Sequence, residues 1–209
     1  MRKKIMMIAL GTILMSTTMV FSGCGKSEKD TKQTTATTTT QKKQTKKAEK
    51  KQEKIEIKTL KDNDQIKKLL SSYPKELTSD QAIDQGLITI DNKTEIFDKT
   101  GKKTWEQFLK DVDQKKNCAV IICQYTVEGD PILQYVSNVN GKFYYVEDST
   151  RDKYSSEKYI QYTYDYNKIY KQDGHYVAIL TNDQKITFDE AQDVRSLKTA
   201  IQLLDIKEK

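Results

Sequence analysis

An α+β domain is predicted for residues 55–209: an antiparallel β meander with helices packed on one of its faces. Three observations carry that expectation. Apolar residues recur at helical spacing near the start of the stretch and again at its end. Between Cys118 and Leu180 the pattern changes to short β-rich runs divided by turn signals, of which Asn140-Gly141 is the strongest, since both residues tolerate positive φ. The stretch is also about 155 residues long, a size at which one hydrophobic core can form.

The first helix is expected over 62–72. Asp62 and Gln65 cap it, Ile66, Leu69 and Leu70 form its buried stripe, and Pro74 lies just past its end. A second runs over 78–85, boxed by Thr78 and Gln81 and stopped by Gly86. Residues 87–90 then read as a strand that turns at Asp91-Asn92-Lys93 into 94–97. Thr104 opens a third helix with Gln107 as its cap partner. Trp105, Phe108, Leu109 and Val112 make one apolar face, so Trp105 is expected in the core and not on a ligand platform.

Strands follow. Residues 118–128 are apolar, and 119–122 are continuous enough for a central strand covered on both sides. Gly129-Asp130-Pro131 breaks the run, 132–139 resumes it, and 142–147 returns from the Asn140-Gly141 hairpin. After a turn at 149–152, one long strand is expected over 158–170, another over 175–180 after Gly174, and a short one at Lys185-Ile186. A C-terminal helix is expected from Thr187, capped by Glu190, with Phe188, Ala191, Val194, Leu197, Ile201 and Leu204 as its stripe.

The N-terminus is of another kind. Arg2, Lys3 and Lys4 precede an apolar run over 5–20, and Ser22 and Gly23 then precede a cysteine. Phe21-Ser22-Gly23-Cys24 resembles the lipobox of bacterial lipoproteins. That resemblance implies a signal peptide over 1–23, a diacylglycerol on Cys24, and a protein held on the outer face of the cell membrane. A retained transmembrane helix is the alternative, but a span needs ~20 apolar residues and Thr12, Ser16, Thr17 and Thr18 dilute this one. A plain secretory signal leaves Cys24 unexplained. Two acyl chains hold a protein stably where one does not.

Residues 25–54 are Thr, Lys, Gln, Glu and Ser with only Ala36 and Ala48 apolar, too little to offset the entropy of ordering. They read as a disordered spacer with a reach of roughly 30 Å. The basic charge lives here. Thirteen of the 36 Lys and Arg residues precede residue 55, against four of the 30 Asp and Glu residues, so residues 55–209 carry −3 within an overall +6. A mildly acidic domain argues against nucleic acid as partner. The spacer lysines could meet anionic lipid or a wall polymer, or simply be solvated.

The chemistry-bearing residues are few. Cys118 and Cys123, five apart on one strand, should point to opposite faces about 16 Å apart along the axis. That is too far for a disulfide, which needs Cα atoms within ~7 Å, and no ligand spacing for a metal accompanies them. His175 is the single histidine, follows a turn, and is read as a strand-edge residue.

The most distinctive stretch is Tyr125-Thr126-Val127-Glu128-Gly129-Asp130-Pro131-Ile132. Asp148-Ser149-Thr150-Arg151-Asp152-Lys153 follows one hairpin later. With these motifs the chain resembles a family of small Gram-positive lipoproteins and secreted domains catalogued as a domain of unknown function. The resemblance runs from about Thr78 to Thr163 and implies a fold but no activity.

Glu128, Asp130, Asp148, Arg151 and Asp152 could converge at one end of the sheet. There they either brace turns, with Arg151 paired to carboxylates, or hold Ca²⁺ or a cationic ligand group. Tyr162, Tyr164 and Tyr166 alternate and should share one face, as core or as a stacking platform. No catalytic constellation is recognisable, and no cofactor is expected beyond the lipid on Cys24. A tethered binding or interaction module of the cell envelope is therefore expected, with a cell-wall polymer or a membrane protein as partner. A carboxylate-dependent envelope hydrolase and an accessory subunit of a membrane complex are the alternatives.

Overall fold

The computed structural model describes residues 53–90, 99–193 and 199–207. The signal segment, Cys24, most of the spacer and the expected strand over 94–97 lie outside the described residues. No helix among those described is long and apolar enough to cross a membrane.

Helix α1 (Asn63–Ser71) starts where Asp62 accepts from Gln65 N, and α2 (Ser79–Asp84) carries the expected Thr78/Gln81 capping box. Gly86, at φ +81°, ends α2 and leads into β1 (Ile88–Ile90). Helix α3 (Lys99–Asp113) opens at least a turn before Thr104. Thr104 is no cap: its hydroxyl donates to Thr100 O at 3.2 Å, one turn back. Gly101 is buried within this helix despite the weak helical preference of glycine. Trp105 is core as expected, at 1% exposure, with Nε1 donating to Tyr176 Oη at 2.7 Å.

The strands are β2 (Cys118–Tyr125), β3 (Pro131–Val139), β4 (Lys142–Asp148), β5 (Tyr159–Tyr164), β6 (Tyr166–Gln172), β7 (His175–Thr181) and β8 (Ala200–Lys207), with the short α4 (Phe188–Gln192) before the last. They form two sheets and not one meander: β1-β2-β3-β4-β5, and β6-β7-β8. β1 lies parallel to β2, joined to it through α3, and all other pairs are antiparallel. Helices are not confined to one face. α1, α2 and the strap Ile55, Ile57 and Leu60 cover one side of the first sheet, over Ile121, Cys123, Leu133, Tyr135 and Val146. α3 and the second sheet cover the other, over Val120, Ile122, Val136, Phe143 and Tyr145. α4 packs on the outer face of the second sheet, against Val177 and Ile179. β2 is thus the doubly covered strand its composition announced.

Three expectations fail in the C-terminal half. The single strand over 158–170 divides at Asp165, whose N–H donates to Asn182 Oδ1 while Asn182 Nδ2 donates to Thr163 O. This bend sends β5 to one sheet and β6 to the other. Of the expected long C-terminal helix the described residues show α4, whose Thr187/Glu190 capping box is present; Val194 and Leu197 lie outside the described residues, and Ile201 and Leu204 belong to β8. Lys185-Ile186 is turn and coil instead of strand. A bulge lies behind the helical reading of Ile201 and Leu204. Ala178 pairs with Leu204 and Ile179 with Gln202, so Leu203 is an extra residue. Leu203 and Leu204 are consecutive yet pack in one core, a spacing that imitates a helical stripe.

Candidate functional site

The two motif turns meet at one end of the first sheet, and they differ. In the second, the carboxylate of Asp148 and the guanidinium of Arg151 are both buried. Arg151 Nη1 donates to Asp148 Oδ2 at 2.6 Å, Nη2 to Leu70 O and Tyr73 O at 2.9 Å each, and Nε to Pro74 O at 2.9 Å. Asp148 Oδ1 accepts from Thr150 N and Oγ1 at 2.9 and 2.6 Å. One side chain therefore bonds three carbonyls at and just past the end of α1 and ties that helix to β4. Asp152 accepts from Tyr154 N at 2.8 Å and is a local turn brace. These three residues do structural work.

The first turn is self-contained. Gly129 N donates to Thr126 O, Thr126 N to Asp130 O, and Asp130 N to Thr126 Oγ1, with Gly129 at φ +91°, a left-handed conformation suited to glycine. Its side chains are left outward: Val127 is 82% exposed and Glu128 is exposed. Asp130 is half-buried and accepts weakly from Lys153 N at 3.4 Å.

Between this turn and the α1–α2 connection lies a cleft of about 600 Å³, lined by residues 75–79, 125–131 and by Thr150, Arg151 and Lys153. Tyr125 floors it, its hydroxyl donating to Leu77 O at 3.0 Å. Of the expected cluster, Glu128, Asp130 and Arg151 line the cleft, whereas Asp148 and Asp152 do not. Lys75, Glu76, Thr78 and Ser79 were missed, because a site made with a connection some fifty residues upstream leaves no local signal; the exposed charges next to Pro74 were the available hint.

The tyrosines do not make a platform. Tyr164 is buried at 3%, Tyr162 is 53% exposed, and Tyr166 lies beyond the bend in the other sheet. The Tyr162 and Tyr164 rings lie 6.1 Å apart, so these two share a face. Cys118 and Cys123 are free and belong to cores on opposite faces of the sheet. Burial pushes both thiols up to about 11, so they stay protonated at neutral pH and are poor nucleophiles. His175 starts β7 as a strand-end residue. Its Nδ1 lies 2.8 Å from Asp205 Oδ1, a partner the misread C-terminal helix concealed. No group of three or more His, Cys, Asp or Glu side chains placed to hold a metal occurs among the described residues.

No curated protein and no solved structure matches this chain. A family match begins later than the motif resemblance and runs past Thr163, so it spans both turns and most of β7 but omits the cleft wall at residues 75–79. Residues 88–180 of the chain match the family model of a domain of unknown function (DUF4362).

Proposed function

We propose that this protein is a binding module of the cell envelope, held on the outer face of the cell membrane by lipid on Cys24, which receives its ligand in the cleft. One observation carries the binding role. The cleft is framed by parts locked through Arg151, yet its rim charges Lys75, Glu76 and Glu128 make no ion pair or hydrogen bond among the described residues. Its volume lies within the ~300–1,000 Å³ range of small-ligand sites. With both signs of charge beside Thr78, Ser79 and Thr126 hydroxyls, it suits a polar segment bearing both amino and carboxylate groups, as in a peptide-containing wall polymer. The anchor rests on Phe21-Ser22-Gly23-Cys24.

Two measurements test this. Cells fed an alkyne-tagged fatty acid should label the wild-type chain and not Cys24→Ala, which should leave the membrane fraction; equal labelling and fractionation of both would end the anchor. Titration with solubilised wall fragments, followed by calorimetry, should show binding that Lys75→Ala combined with Glu128→Gln abolishes. Unchanged binding by that double variant would remove the cleft from the proposal.

A further inference from the structure

The open edges of the two sheets are not protected alike. β6 and β8 border the second sheet and carry Lys168 and Lys171, and Asp205 and Lys207. Such charges deter a further strand from adding. β5 borders the first sheet and reads Tyr-Ile-Gln-Tyr-Thr-Tyr, with no charge, glycine or proline, in a chain where 32% of residues are charged. That composition favours pairing between identical strands.

The hydrogen bonds say which groups are open. Lys158 O accepts from Ser149 N, towards β4, whereas Thr163 O accepts from Asn182 Nδ2, away from it. Backbone groups alternate in direction along an antiparallel strand. Residues 158, 160, 162 and 164 therefore bond inward, and Tyr159, Gln161 and Thr163 face out. Among the described residues β5 pairs only with β4. Tyr159 and Gln161 thus offer both backbone groups, while Thr163 has its carbonyl taken.

We propose that β5 is a self-association edge, to which β5 of a second copy of this chain adds antiparallel about a two-fold axis at Ile160. In this register Tyr159 of each copy meets Gln161 of the other, giving four backbone hydrogen bonds, and Thr163 keeps Asn182. Lys158, whose Nζ donates to Asp152 O at 3.0 Å within its own copy, then faces Tyr162 of the second copy, a ring that is 53% exposed, so that turning the ammonium onto the ring would exchange that bond for a cation–π contact. Glu157 faces Thr163, so no like charges oppose each other. The strand is complementary to itself, and the interface is isologous, as a closed dimer requires.

The test uses the full chain in detergent. At the axis the two Ile160 Cα atoms would stand about 4.5 Å apart, within disulfide reach. Ile160→Cys should give an oxidant-dependent dimer on a non-reducing gel, well above the unmodified chain and Lys171→Cys on the β6 edge. Gln161→Pro removes an outward N–H that makes no bond to β4. It should cut cross-linking of Ile160→Cys to control level and weaken dimerisation in sedimentation at least tenfold, with circular dichroism unchanged. Gln161→Glu, which adds charge beside the axis on both copies, should do the same if the proline variant is unstable. Cross-linking no greater than at Lys171→Cys, or a dimer indifferent to both Gln161 substitutions, overturns the proposal.

Discussion

The turn at 126–130 and the turn at 148–152 look alike in sequence, each short, polar and acidic, yet the fold uses them in opposite ways. The later turn is drawn inward. Its Asp148 and Arg151 side chains are 0% and 3% exposed and spend their hydrogen-bonding capacity on each other and on the end of α1. The earlier turn closes on its own backbone and leaves Val127 and Glu128 in solvent. A charge taken out of water must be answered on the spot. A turn that satisfies itself keeps its side chains for something else.

The sharpest way to break the contrast is to remove the buried partner. Arg151→Met should destabilise the domain by about 3–5 kcal/mol, since it leaves Asp148 buried and uncompensated, and urea unfolding should read this directly. Asp148→Asn keeps shape and weakens one charged hydrogen bond, at a cost of about 1.5–3 kcal/mol. The double variant should cost clearly less than the two together, because the pair is coupled. Additive costs would mean that the two side chains do not act as a unit.

That inward turn was only half legible in the sequence. The spacing of Asp148 and Arg151 made their pairing an available reading, but the carbonyls of Leu70, Tyr73 and Pro74 lie almost eighty residues away, and no local pattern points at them. Although α3 opens before its expected Thr104 cap, α1 and α2 were read well, to within a residue or so, because capping is a local interaction. Long-range choices were not. Nothing in residues 158–170 marks Asp165 as the place where the chain leaves one sheet for another. The bulge at Leu203 made a strand resemble a helix. Of the cleft, the 125–131 wall announced itself through Gly129 and Pro131, and the 75–79 wall did not.

The outward turn should respond to its backbone more than to its charges. Gly129 sits at φ +91° with nothing within 4 Å of the position a Cβ would take. Gly129→Ala should therefore cost about 1–2 kcal/mol from the left-handed conformation alone, with no packing term. A cost of 3 kcal/mol or more by thermal unfolding would mean that the turn is packed and not free. Beneath the buried turn, Tyr73 makes the opposite case. Its hydroxyl is buried without a hydrogen-bond partner among the described residues, and burial pushes its pKa up to about 12. Tyr73→Phe removes a polar group that gains nothing there, so it should be neutral or stabilising by up to about 1 kcal/mol. A clear loss of stability would show that the hydroxyl is answered in solution.

The smallest effect on stability is expected where the functional weight is placed. Glu128 is exposed and makes no ion pair among the described residues, so Glu128→Gln should change unfolding by less than about 0.5 kcal/mol. The same holds for Lys75→Ala. If these charges serve only to keep the surface solvated, the two substitutions should be silent in every assay. If they contact a ligand with both amino and carboxylate groups, each should weaken binding while the unfolding curves superimpose on wild type. Each loss should also shrink as salt rises, because charge pairs at an open rim are screened over ~8 Å at physiological ionic strength. A binding loss that ignores salt would place the contact on the hydroxyls of Thr78, Ser79 and Thr126 instead, and the rim charges would then join Asp152 as ordinary turn chemistry.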